Sequence, residues 1–199
     1  RIGDAIDFAR AGVAKGMRGI VFKAHHESTV TRAMMAMKMV PGIECYGSLA
    51  LNSFTGGFNV YFVAQALAAG ARYVWMPTIH ARHHIQLIGA GSYGIPSMTL
   101  GKNMYDKNGL SILDDSGAVL SSVKDIVAMA KEYNAPIGTG HISEVEIFAL
   151  QKVCNDIGTR MCLTHAFFPR GTIEFVRQVA EGGAYVEVSA VVAYPMSRH

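Results

Sequence analysis

Apolar positions along this chain switch repeatedly between two periods. Residues 5–14 carry them at helical spacing, and Lys15-Gly16 adds a basic last turn and a stop. Residues 19–24 read as a buried strand, because Ile20-Val21-Phe22 is β-prone and too short for a helix. Ser28 or Thr29 caps a helix over 32–39 that ends at Pro41-Gly42, and residues 43–51 have the character of a second strand. A loop over 52–57 leads to a helix over 59–69 and a strand over 72–78. After an irregular stretch the pattern resumes with helices over 123–132, 144–156 and 172–180 and strands over 135–139, 160–164 and 184–188. Six strands are thus predicted to alternate with six helices.

Short apolar strands alternating with amphipathic helices predict an α/β fold with a parallel sheet covered by helices. Periodicity alone does not separate an open doubly wound sheet from a closed barrel. The chemistry of the strand ends does favour one of them. Polar residues follow nearly every strand, at Lys23, His25 and His26, at Asn52, at Thr78 and His80, at His141, at His165, and at Glu187 and Ser189. A barrel gathers all its strand ends on one face, whereas an open sheet gathers only those at its switch point. The expectation is a single-domain (β/α)8 TIM-type barrel with about six βα units visible. Residues 89–122, crowded with Gly, Ser, Asn and Asp and carrying turn chemistry at Asn108-Gly109 and Asp115-Ser116-Gly117, are expected to be a hairpin insertion. Arg1 in place of an initiator Met, and a chain that stops just past a strand, lead us to expect truncation at both ends.

Half of the 199 residues are hydrophobic, which is ample for one core, and only 17% are charged, with a net charge of +3. Lys and Arg are scattered singly, so no basic stripe points to nucleic acid or an anionic membrane, and a small molecule is the expected partner. Cys45, Cys154 and Cys162 form no CxxC pair or disulfide framework, which suits a reducing cytoplasm. Apolar runs break well before the roughly 18 residues of a membrane-spanning helix. Helices rich in Met and Ala fit a homo-oligomer, and equally a stripe facing the core.

His141 and His165 each follow an apolar strand and precede a capped helix, one βα unit apart. Two neutral imidazoles on neighbouring rigid strand ends are natural ligands for a divalent metal, zinc first, with manganese or iron as alternatives. Lys23, following an apolar strand into a barrel mouth, needs a partner such as Glu27 or Glu187. Alternatively it is carbamylated and bridges metals, or it is a lowered-pKa amine that forms a Schiff base. His25 shares Lys23's strand parity and is preferred over His26 as a third ligand. His80 is placed to meet substrate, while His83 and His84 read as a solvated helix face. Glu187 lies in an apolar strand and is expected to be buried and partnered, orienting a ligand histidine or acting as a general base. Asn52 and Asn59, with Gly56-Gly57, form a loop that opens a helix and are expected to contact substrate.

The segments Lys23-Ala24-His25-His26, Leu51-Asn52, Gly56-Gly57-Phe58-Asn59, Trp75-Met76-Pro77-Thr78, Thr139-Gly140-His141 and Leu163-Thr164-His165 resemble an amidohydrolase-like family of bacterial and archaeal proteins, over essentially the whole chain. The resemblance implies a distorted TIM barrel holding one or two divalent metals. Its ligands would be an HxH pair after the first strand, a Lys or Glu after a middle strand, histidines after the fifth and sixth strands and an Asp after the eighth. His141 and His165 match the fifth- and sixth-strand positions. Lys23 falls on what would be the second strand rather than the fourth, and neither the HxH nor the final Asp occurs in this sequence. The implied activity is metal-dependent hydrolysis of an amide, imide, lactone, ester or phosphoester. The alternatives are a Lys23 Schiff-base lyase of aldolase type and a non-catalytic barrel that binds a small ligand.

Overall fold

The computed structural model describes residues 3–89, 108–167 and 171–190. The described elements run α1 (Ala5–Ala14), β1 (Gly19–Val21), α2 (Val30–Met39), β2 (Glu44–Ala50), a 3-10 turn (Ser53–Thr55), α3 (Val60–Ala68), β3 (Ala71–Trp75), α4 (Arg82–Ile88), α5 (Ser121–Glu132), β4 (Ile137–Gly138), α6 (Glu144–Ile157), β5 (Met161–Leu163), α7 (Ile173–Glu181) and β6 (Tyr185–Val186). All neighbouring strands are parallel, and their spatial order is the chain order from β1 to β6. Each crossover therefore advances by one strand in the same direction. Right-handed crossovers of that kind lay every helix on one face of the sheet and leave the other as an interior.

The sheet curls around that interior. With strands about 4.8 Å apart, the first and sixth strands of a flat sheet would stand roughly 24 Å from each other. In the curled sheet the Glu187 carboxylate, just past β6, comes near enough to Lys23, just past β1, to oppose the lowering of that amine by burial. On the interior, the Tyr73 and Trp75 rings stack at 4.1 Å, and the Lys23 ammonium lies 5.1 Å above the Trp75 ring. Gly138 makes room for this platform, since a Cβ there would sit 2.3 Å from Trp75 Cδ1. The described fold is α/β, a half-barrel of six parallel strands with helices between them.

The main core lies between the sheet and its helices. Leu49, Val74, Ile137 and Leu163 from the strands, with Leu51 just past β2, meet Val63, Leu67, Ile126, Leu150 and Val179 from α3, α5, α6 and α7. A smaller cluster of Ala9, Phe22, Ala33, Ala36, Ile43 and Cys45 seats α1 and α2 on β1 and β2. Strands are shorter than the pattern predicts because side chains take over from the backbone ladder at their ends. The Thr164 N–H donates to Thr139 Oγ1 (3.0 Å), and the Gly140 N–H donates to Thr164 Oγ1 (3.2 Å). Thr29 is the N-cap residue of α2, but its hydroxyl donates to the Phe22 carbonyl (2.7 Å), and it is Ser28 Oγ that accepts from the Val30 N–H (3.4 Å).

Of the expected insertion, residues 90–107 lie outside the described residues. The described remainder turns over Asp114, whose carboxylate accepts from the Ser116 and Ala118 N–H groups, with an antiparallel bridge between Leu113 and Val119. The expected turn at Asp115-Ser116-Gly117 is present, closed by the Gly117 N–H donating to the Asp114 carbonyl (3.0 Å). The extra helix α4 is pinned to this segment, as the Arg82 N–H donates to the Leu110 carbonyl and the Leu110 N–H to the His80 carbonyl, both at 2.8 Å. Met34, Met35, Met37 and Met39 of α2 face outward. Among the described residues no helix is long and apolar enough to cross a membrane.

Candidate active site

The ends of β1, β2 and β3 are tied together by Asn52. This residue is fully buried, its amide donates to the His25 carbonyl (3.0 Å) and Thr78 Oγ1 (2.8 Å), and its Oδ1 accepts from the N–H groups of Thr78 (2.9 Å) and His80 (3.2 Å). Two donors and two lone pairs are the whole capacity of an asparagine amide. Asn52 is therefore a clamp between strand ends and has nothing left with which to contact a substrate. Asn59 is the exposed N-cap of α3, its Oδ1 accepting from the Phe62 N–H (3.1 Å).

The clamp fixes two histidines. His25 Nδ1 lies 2.8 Å from Thr78 Oγ1, and burial, reinforced by the charge of Lys23, holds the imidazole down at about 3. The strand ends at Val21, so parity does not choose between His25 and His26. What distinguishes them is that His25 turns inward, half-buried, while His26 stays exposed against Phe54. His80 Nδ1 accepts from the Ser53 N–H (3.1 Å), and burial lowers this imidazole to about 4. Because Nδ1 accepts, the ring proton of neutral His80 sits on Nε2, making that nitrogen a donor rather than a metal ligand.

His141 follows β4 through Gly140. Gly140 has φ +60, and a Cβ there would sit 2.4 Å from the carbonyl oxygens of Met76 and Pro77, so only glycine permits this approach of β4's end to β3's. The His141 N–H then donates to the Pro77 carbonyl (2.9 Å), and the buried ring is held well below the ordinary histidine range by burial first and by His84 next. Its Nδ1 lies 2.9 Å from Nδ1 of His84. The sequence reading of His84 as a solvated helix face is overturned: it is 2% exposed and lowered by burial to about 4.

His165 follows β5 with φ +51, a left-handed backbone that a non-glycine residue adopts at a cost of about 1–3 kcal/mol. Its Nδ1 meets Glu187 Oε1 at 2.9 Å and also contacts the Ser189 hydroxyl, which donates to the same carboxylate oxygen (2.9 Å). Burial pushes the Glu187 carboxyl up, but the hydrogen bonds of His165 and Ser189 and the charges of His165 and Lys23 outweigh it and leave it below its ordinary value. Glu187 is partnered as expected and partly buried, with a side chain 34% exposed. Lys23 is lowered to about 8 by burial, against the opposing pull of Glu187, while Glu27 instead pairs with Arg32.

These groups form one electrostatic unit. His25 senses Lys23, His84 and His165, and His141 senses His84, Lys23, His165 and His25. The His141 and His165 rings stand 5.7 Å apart. Both line a cavity of about 270 Å³ with Leu87, Ile142, Leu163 and Phe175 among its apolar walls. Among the described residues no three His, Cys, Asp or Glu side chains already stand as a metal-holding group. Residues 1–187 match a family model described as a family of unknown function, DUF6282. The chain belongs to the DUF6282 family. No curated protein matches it. Within this DUF6282 chain, sequence reasoning placed Thr78 only at a strand end and His84 on a solvated helix face, and both owe their roles to contacts with distant segments.

Proposed function

We propose that this chain carries six units of a (β/α)8 barrel and acts as a metal-dependent hydrolase of a small molecule. One observation carries the reading. Three histidines from three strand ends, His25, His141 and His165, each have Nδ1 engaged by a protein group, namely Thr78, His84 and the Glu187–Ser189 pair. Metal-ligating histidines are oriented in this way, with one ring nitrogen held by a neighbour and the other turned to the ion. Burial keeps His25 and His141 neutral, the form that binds a metal. The donor chemistry thus fits a divalent ion, zinc first and manganese or iron as alternatives, held through Nε2 of these three residues.

Such an ion, when bound, supplies an acidified water nucleophile and polarises the scissile bond. Glu187 accepts the Nδ1 proton of His165, which fixes that ring's tautomer. Lys23, cationic below about pH 8, sits over Trp75 where its charge can stabilise a developing oxyanion. The apolar walls beside His141 and His165 suit a small acyl or aromatic group on an amide, imide, lactone, ester or phosphoester. Screening small esters, lactones and amides should reveal hydrolysis that a chelator abolishes and added zinc or manganese restores. Activity indifferent to chelation contradicts the reading.

The lowered Lys23 amine favours a second reading, a Schiff-base lyase. It requires borohydride to trap a carbonyl compound on Lys23 in chelator-treated protein.

A further inference from the structure

His84 stands on α4 with its ring in the core, while His83 and Leu87 of the same helix line the cavity. Its Nδ1 is 2.9 Å from His141 Nδ1, and the two ring planes differ by 23°. Two imidazole nitrogens at that distance share a single proton, because two lone pairs repel and two N–H groups collide. Either His141 donates from Nδ1 to a lone pair on His84, or the reverse. Each choice dictates which nitrogen of His141 is left with a lone pair.

We propose that His84 is a positioning residue that accepts the Nδ1 proton of His141 and so holds the His141 Nε2 lone pair toward the metal. The direction of this hydrogen bond rests on the metal reading, since a ligand must offer a lone pair. A parallel in the same site supports it. His165 Nδ1 faces Glu187, which as a carboxylate only accepts, so His165 is the Nδ1–H tautomer. His84 does for His141 what Glu187 does for His165, but with an imidazole carried on a helix that also walls the cavity. Because Arg82 is hydrogen bonded to Leu110, that helix is anchored by residues just past the 90–107 segment.

The test is ring-nitrogen NMR on the intact, metal-free, ¹⁵N-labelled chain, which separates protonated from lone-pair nitrogens. The wild type should show His141 protonated at Nδ1. His84→Ala should release it to the Nε2–H form, and His84→Asn, whose Oδ1 can accept in place of the imidazole nitrogen, should restore Nδ1–H. Zinc affinity should fall about 10–100-fold in His84→Ala, recover in His84→Asn and stay unchanged in the exposed Gln86→Ala. Should His84→Ala misfold, the wild-type tautomer and His84→Asn still decide the matter. A wild-type His141 protonated at Nε2, or a tautomer indifferent to His84, overturns the proposal. So does zinc loss in His84→Ala as complete as in His141→Ala, which would make His84 a ligand. Zinc binding that survives both His141→Ala and His165→Ala overturns the metal reading itself.

Discussion

Asn52 and Thr78 are bonded twice over, the Asn52 Oδ1 accepting the Thr78 N–H at 2.9 Å and the Asn52 amide donating to Thr78 Oγ1 at 2.8 Å. Through this pair the end of β2 holds the end of β3 and sets the hydroxyl that meets His25. Asn52→Ala would leave the Thr78 and His80 N–H groups buried without their acceptor. The expected cost is about 3 kcal/mol, read as a shift in the urea midpoint. A loss below about 1 kcal/mol would show that the clamp is dispensable.

His165 offers a backbone test. Its left-handed conformation is one that glycine adopts freely, so His165→Gly should be more stable than His165→Ala by about 1 kcal/mol. Thermal or urea unfolding of the two variants checks this, and an alanine variant as stable as the glycine variant would show that the backbone relaxes.

The buried histidines predict acid lability. His80 and His84 titrate near 4 when folded but near 6.5 when unfolded, so the unfolded chain binds more protons between those values. Their contribution is fully present above about pH 6.5 and is lost as pH falls toward 4, each at a limiting slope of about 1.4 kcal/mol per pH unit. The depressed Glu187 acts in the same direction lower down. Urea unfolding from pH 8 to 4.5 should show stability falling below about pH 6.5, and a flat profile would contradict the neutral-histidine site.

Lys23, lowered to about 8, should be a reactive amine where other lysines are protonated. Cyanate at pH 8 should carbamylate it faster than the chain's exposed lysines, as followed by peptide mass spectrometry. Equal labelling of Lys23 and Lys124 would remove the basis for assigning Lys23 a special role.

Much of the frame was legible in the chain. The 5–14 helix matches α1 residue for residue, and each predicted strand contains the observed one, apart from a start at Ala71 rather than Arg72, because apolar periodicity and Gly or Pro stops are local signals. Placement of His141 and His165 at adjacent strand ends followed from the same pattern. What was hidden depends on distant partners. His84 sits in Arg82-His83-His84, polar enough to read as solvent-facing, and is buried only because α4 is tied to residue 110 and His141 comes from 57 residues away. Asn52 looked like a loop residue awaiting a ligand, since nothing in its neighbourhood in sequence tells of Thr78 and His80. Glu187 was legible as a histidine's partner, because a carboxylate within an apolar strand needs one.

The central claim is that His141 and His165 bind a metal, and the metal content of the intact protein purified without chelator tests it most directly. The expected content is about one or two equivalents of zinc, manganese or iron per chain, lost in His141→Ala and in His165→Ala and kept in Asn59→Ala. Metal content unchanged in both histidine variants would contradict it.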